Sequence, residues 1–152
     1  MILPQEILLR IFVATLGLAG FFVARHIHKE KSAKRPLVCP VRFDCDTVVH
    51  SDYSKFFGIP VEFFGMIYYA LVFFGYMALS FLPEGLPDAL ILSLAVTSVG
   101  AFLFSAYLIY VQIFILKKAC SWCFVSAFIC VCIFILTIIA YDFSDLIALF
   151  LK

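Results

Sequence analysis

Four long apolar stretches, at about 7–24, 59–82, 89–116 and 120–141, dominate this 152-residue chain. Each meets or approaches the ~20 residues that an α-helix needs to cross about 30 Å of hydrocarbon. The pattern predicts an all-α integral membrane protein, a four-transmembrane-helix bundle forming one domain over residues 1–152. Composition agrees with that class. The chain is 65% hydrophobic and only 14% charged, whereas soluble domains carry roughly 25% charged residues. A net charge of +1 gives no reason to invoke nucleic acid as a partner. The first apolar run lacks a basic leading region and a small-x-small cleavage site, so it reads as a span and not as a signal peptide.

The punctuation between the stretches is informative. Arg10 interrupts the first span near its start. The polar run RHIHKEKSAKRP that follows it has no place in hydrocarbon. Pro60 suits the first turn of the second helix, where its missing N–H costs nothing. PEGLPD, Pro83 to Asp88, reads as a turn. A short apolar tail follows Asp142.

Counting crossings locates the chemistry. Cys39 and Cys45 lie between spans one and two, and Cys120 and Cys123 between spans three and four. Two crossings separate the pairs, so both emerge on one face of the membrane. Within the cysteine loop and lid segment, about 37–58, Val49, Tyr53, Phe56 and Phe57 recur at helical spacing. Asp46, His50, Asp52 and Lys55 fall off that face. These residues predict a short amphipathic interfacial helix, capped by Asp44 or Asp46, lying over the bundle mouth.

Three chemistries compete for the cysteines. A C-x-x-C at a helix start gains thiolate character from the helix N-terminus and from neighbouring cations, here Lys117 and Lys118. Paired with a second cysteine pair on the same face, it has what thiol–disulfide relay requires. The alternative class is a non-catalytic four-span protein whose cysteines form structural disulfides or a Cys₄ zinc site. Zinc is disfavoured because C-x₅-C is looser than the usual C-x₂₋₄-C spacing; no metal is expected. Cys130 and Cys132, inside the fourth span, are read as packing residues, Cys130 sharing the face of Cys123. His26, His28 and His50 are read as solvated interfacial histidines.

Taken in order, C-x₅-C, Ser51 six residues after Cys45, FGIP, FGMIYY, and YL before KKACSWC resemble the vitamin K epoxide reductase family over roughly Cys39 to Ser126. The resemblance implies a relay. A reduced thioredoxin-fold partner attacks the loop disulfide, with Cys39 the outer sulfur. Cys45 then attacks Cys120, and Cys123 faces a quinone of the ubiquinone, menaquinone or vitamin K type and passes two electrons to it. Ser51 steadies the lid; Phe64, Tyr68, Tyr69, Leu108 and Leu116 match positions lining the quinone pocket. Tyr68 and Tyr69 supply the flat walls and donors that a quinone with two carbonyl acceptors wants. Two positions depart from the vertebrate pattern: Val61 stands where an Asn polarises the quinone, and Ala127 where a Tyr follows the C-x-x-C. Their loss argues against epoxide reduction and leaves quinone reduction coupled to disulfide formation. The chain ends at Lys152 without the fused thioredoxin-like domain of many bacterial relatives, so the expected partner is a separate protein.

Orientation is where two readings part. By this topology nine of the eleven Lys and Arg residues lie on the cysteine face, leaving Arg10 and Lys152 opposite. The positive-inside rule places that face in the cytoplasm. The family resemblance implies an extracytoplasmic face in a cell membrane, where disulfides persist.

Overall fold

Residues 5–82, 88–140, 147–148 and 150–152 are described by the structure, a computed structural model. Four helices in it are long and apolar enough to cross a membrane. The first, α1 (Gln5–Ser32), is 28 residues long and overruns its predicted end at Ala24. Nothing in Arg25–Ser32 breaks a helix, so the polar run leaves the lipid as a two-turn helical extension and not as a loop. It stops where Lys34 takes a left-handed φ of 52°, ahead of Pro36, which cannot extend it.

The lid differs from the sequence expectation. Instead of one amphipathic helix it consists of α2 (Cys45–Val49), a 3₁₀ turn (Asp52–Ser54), and a two-stranded hairpin, β1 (Lys55–Phe56) with β2 (Ile59–Pro60). The hairpin turns at Phe57 and Gly58, both at positive φ (52° and 79°). That is the signature of the tight turns that join antiparallel strands, and Gly58 makes it accessible. The four residues predicted to share one face of an interfacial helix are instead divided among α2 (Val49), the 3₁₀ turn (Tyr53), β1 (Phe56) and the hairpin turn (Phe57). Helical spacing among these aromatics was therefore coincidental.

Pro60 accordingly sits one residue ahead of α3 (Val61–Phe81), in the cap position with ψ 135°, and not in the first turn. The turn predicted at 83–88 lies outside the described residues except for Asp88, which opens α4 (Asp88–Tyr110). A π-helical segment, Val111–Ile115, continues α4 to the predicted end of span three. Helix α5 (Ser121–Ala140) is the fourth span. Residues 141–146 and 149 lie outside the described residues.

The bundle is built on small residues. Helix α1 packs chiefly against α3 and also against α5, which in turn packs on α4; α3 and α4 meet less extensively. Gly17 and Gly20 present no side chain to α3, so Val72 and the ring of Tyr69 press directly on the α1 backbone. Close backbone approach at small residues is how helices associate where lipid is as apolar as the core. Tyr76 and Thr137 share a buried hydroxyl hydrogen bond of 2.8 Å between α3 and α5, an interhelical tie worth roughly 0.6–1.7 kcal/mol. Arg10 has a place too: its guanidinium donates to the Leu79 carbonyl at 2.8 Å, one of the carbonyls left unpaired at the C-terminal end of α3.

Candidate active site

All four loop cysteines belong to one buried cluster. Cys45 and Cys120 are its fully buried members, with Ile27, Leu37, Val48 and Val49, and Cys39, Leu116, Trp122 and Cys123 pack against them. Cys39 and Cys45 form a disulfide with Cα atoms 5.9 Å apart, inside the usual range. Cys120 and Cys123 are free thiols. The Cys45 sulfur lies 3.8 Å from the Ser121 hydroxyl, so the loop disulfide rests on the N-terminus of α5.

That N-terminus is built around Cys120. Its carbonyl accepts the Phe124 N–H at 3.0 Å and its sulfur accepts the Cys123 N–H at 3.3 Å. Cys120 thus takes the place that Ser or Asp takes in an ordinary N-cap. The side-chain hydrogen bond from Cys123, with the backbone N–H groups of Cys123 and Trp122, holds the Cys120 thiol below its usual range against the opposing effect of burial. The expectation that Lys117 and Lys118 supply this stabilisation is not met. Lys118 instead pairs with Asp44 of the lid at 3.2 Å. The Cys123 side chain first, and then the helix-terminal N–H groups, do the work that the sequence assigned to the lysines.

Gln112 completes the Cys120 environment. This buried amide sits in the π-helical segment, a departure from α geometry that often marks functional positions. Its Oε1 accepts the buried Cys120 N–H at 3.3 Å. Its own carbonyl accepts the Lys118 N–H at 3.1 Å. Sequence reading passed over Gln112, although an amide in the middle of an apolar span was a visible signal.

The lid is fastened at several points. Asp44 caps α2 by accepting the Thr47 N–H at 3.2 Å; that bond, and then Lys118, keep its carboxyl below the ordinary range. Ser51 donates to the Val48 carbonyl at 2.7 Å, and Ser54 to the Ser51 carbonyl at 2.6 Å. Ser51 thereby closes the turn out of α2. Trp122, between the two C-x-x-C cysteines, donates from its indole N–H to the Val38 carbonyl at 3.1 Å and packs on the His26 ring at 4.8 Å. The residue before Cys39 is in this way tied to the helix that carries Cys123.

Beneath the lid a cavity of about 600 Å³ opens between α3, α4 and α5. Phe64, Tyr68, Tyr69, Leu108 and Leu116 all line it, as do Ser51, Gln112 and Cys123. The Tyr69 hydroxyl donates to the Ser126 carbonyl at 2.6 Å, so its proton is already committed. The Tyr68 hydroxyl donates to Ser98 at a longer 3.4 Å and also lies against Cys130. Val61 and Ala127 line the cavity as apolar wall. Cys130, buried as expected, lines it as well. Glu62 was overlooked in the sequence; it too lines the cavity, paired with Lys31 of α1.

Among the described residues no group of three or more His, Cys, Asp or Glu side chains is arranged to hold a metal. Two of the four cysteines that a Cys₄ zinc site needs are engaged in a disulfide.

The model of the vitamin K epoxide reductase family matches residues 8–138. The match covers most of the chain, and the chain belongs to that family, a family of membrane thiol–disulfide oxidoreductases.

Proposed function

We propose that this member of the vitamin K epoxide reductase family oxidises a thioredoxin-fold partner and passes the electrons to a quinone, supporting disulfide formation. The partner's dithiol reduces Cys39–Cys45, entering at Cys39, and leaves as a disulfide. The Cys45 thiolate attacks Cys120 of the Cys120–Cys123 disulfide, releasing Cys123. Cys39 then attacks Cys45, which restores the loop disulfide and leaves Cys120 and Cys123 as thiols. Their oxidation back to a disulfide delivers two electrons and two protons to the quinone, giving quinol.

One observation carries this reading: an oxidised pair and a reduced pair share a single buried cluster, and Cys123 reaches from it into an apolar, aromatic-walled cavity. The arrangement suits the stage at which the C-x-x-C is charged and the loop is ready for another partner. A cavity of about 600 Å³ falls within the 300–1,000 Å³ typical of small-molecule sites. Apolar Val61 and Ala127 support simple quinone reduction over epoxide reduction.

We place the cysteine face on the oxidising side of the membrane. Two of the cations that argue for the cytoplasm, Lys31 and Lys118, are engaged by Glu62 and Asp44, and a loop disulfide persists where the compartment is oxidising. An impermeant thiol reagent applied to intact, mildly reduced cells tests this: modification of Cys39 supports it, and protection reverses the orientation.

Quinone reduction by purified protein with a dithiol donor tests the function itself. Turnover in the wild type, lost in Cys123→Ser, is the expected result. In Cys45→Ser a small dithiol still drives turnover and a protein donor does not. No turnover with any quinone would favour cysteines that only staple the fold.

A further inference from the structure

Quinone reduction moves protons as well as electrons, and the cavity contains one group suited to moving them. Glu62, in the first turn of α3, is the only formally charged residue among those described as lining the cavity. Its side chain is 7% exposed and that of Lys31 is 10% exposed. Lys31 Nζ stands 3.2 Å from both carboxylate oxygens and also donates to the Ser54 carbonyl and hydroxyl of the lid, at 3.3 and 3.1 Å. His28, one helical turn before Lys31, brings Nδ1 to 3.5 Å from Glu62 Oε1 while its side chain remains 36% exposed. Neither that nitrogen nor that oxygen makes a well-directed hydrogen bond. Among the described residues, Lys31 and His28 from α1 are the ionisable groups paired with the Glu62 carboxylate, and Cys123 of α5 lines the same cavity; the lid contributes the neutral Ser54, bound to Lys31.

A buried acid inside a membrane protein is costly to keep and most often serves an ion or proton path. Here it stands between a thiol pair, an apolar cavity and a histidine that touches water. Resting on the quinone reading above, we propose that Glu62 shuttles protons to the quinone, the first from the Cys123 thiol and the second from water through His28, with Lys31 positioning the carboxylate.

The balance closes on this chain's own groups and water. The Cys123 S–H breaks, its proton goes to the Glu62 carboxylate, and the thiolate becomes competent to give up its electron pair. As the sulfurs join, the quinone accepts two electrons. Glu62 hands on the first proton, returns to carboxylate, and takes the second from water through His28, the Cys120 sulfur entering the step as a thiolate whose proton has already gone to water. His28 keeps the carboxylate in protonic contact with water, so a proton lost between turnovers is replaced.

The test separates the two half-reactions in purified full-length protein in lipid nanodiscs. One assay follows thiol–disulfide exchange from a dithiol through the four cysteines by thiol trapping. The other follows quinol formation from a short-chain benzoquinone and a short-chain naphthoquinone across a pH series. Glu62→Gln is expected to slow quinol formation on the order of a hundredfold, the low end of general acid–base effects, and to leave exchange at the wild-type rate. An amide cannot take up a proton, so the pH profile of quinol formation is expected to change in the variant while that of thiol exchange does not. Since Glu62→Gln leaves Lys31 buried without its partner, a Lys31→Met/Glu62→Gln variant removes both charges. The double variant is expected to fold and to remain equally slow. Recovery of turnover in the double variant, or wild-type rate and pH profile in Glu62→Gln, reduces the ion pair to a structural clasp and overturns the proposal. A wild-type protein that reduces neither quinone overturns the reading beneath it as well, and the two failures are told apart by the wild-type control.

Discussion

The sulfur of Cys120 caps the helix that carries Cys123, accepting the Cys123 backbone N–H at 3.3 Å. The two ends of the C-x-x-C therefore have unlike surroundings. Cys120 is packed against the loop disulfide and stabilised as a thiolate, whereas Cys123 faces the cavity.

Replacing the cap should separate folding from chemistry. Cys120→Ser retains a capping atom and is expected to fold with little loss, whereas Cys120→Ala loses about 1 kcal/mol of stability. Both abolish transfer from the loop to the quinone. Thermal unfolding in detergent and a turnover assay read the two effects.

The depressed Cys120 titration carries a sign. With its folded pKa below the unfolded one, the thiolate contributes stability fully above the unfolded value, and the contribution is lost as pH falls through the folded one. The reverse step, in which the Cys120 thiolate attacks Cys45 of the loop disulfide, should persist at pH values where an ordinary cysteine is already protonated, and fail only below them. Stopped-flow thiol exchange against pH checks this; an onset at the ordinary cysteine pKa contradicts it.

Gln112→Leu removes the acceptor for the buried Cys120 N–H. An unsatisfied buried donor costs about 1–3 kcal/mol, so a lower melting temperature is expected. Loosening of the α5 N-terminus should also slow loop-to-C-x-x-C exchange. Gln112→Glu keeps an acceptor oxygen but brings a negative charge to the Cys120 thiolate, so it should not restore the rate.

Gly20→Val places a branched side chain where the Tyr69 ring lies against α1. Overpacking of this kind costs about 1–3 kcal/mol. Displacing Tyr69 reshapes the cavity wall, so the Michaelis constant for quinone should rise while reduction of the loop disulfide by dithiol continues. Quinone titrations on the solubilised variant measure it.

Chelation is expected to change nothing. With Cys39 and Cys45 joined, the sulfurs that a tetrahedral zinc site requires are not available together. Turnover and melting temperature should survive prolonged treatment with a zinc chelator; a loss of either, restored by zinc, contradicts the account.

The parts legible in the sequence were those set by length and parity. Spans of membrane length fix the bundle, and two crossings between Cys39/Cys45 and Cys120/Cys123 bring the pairs to one face, where the structure gathers them into one cluster. The lid was misread because Tyr53, Phe56 and Phe57 mimic a helical stripe, whereas the left-handed turn at Phe57 and Gly58 belongs to a hairpin. Contacts that join distant positions left no local pattern. Lys31 and Glu62 lie 31 residues apart and carry no motif, and Gln112 reaches Cys120 only because a π-helical segment turns it there. Charge near the C-x-x-C was visible as Lys117 and Lys118, but the geometry spends Lys118 on Asp44.

Trapping the sulfur-to-sulfur transfer tests the relay most directly. In a Cys39→Ser/Cys123→Ser variant neither resolving thiol remains, so oxidation should leave a stable Cys45–Cys120 disulfide, identified by mass spectrometry of the joined peptides. That linkage, formed readily and lost on reduction, is the predicted result. Free thiols at Cys45 and Cys120, under conditions in which the wild type keeps Cys39 joined to Cys45, would contradict the relay.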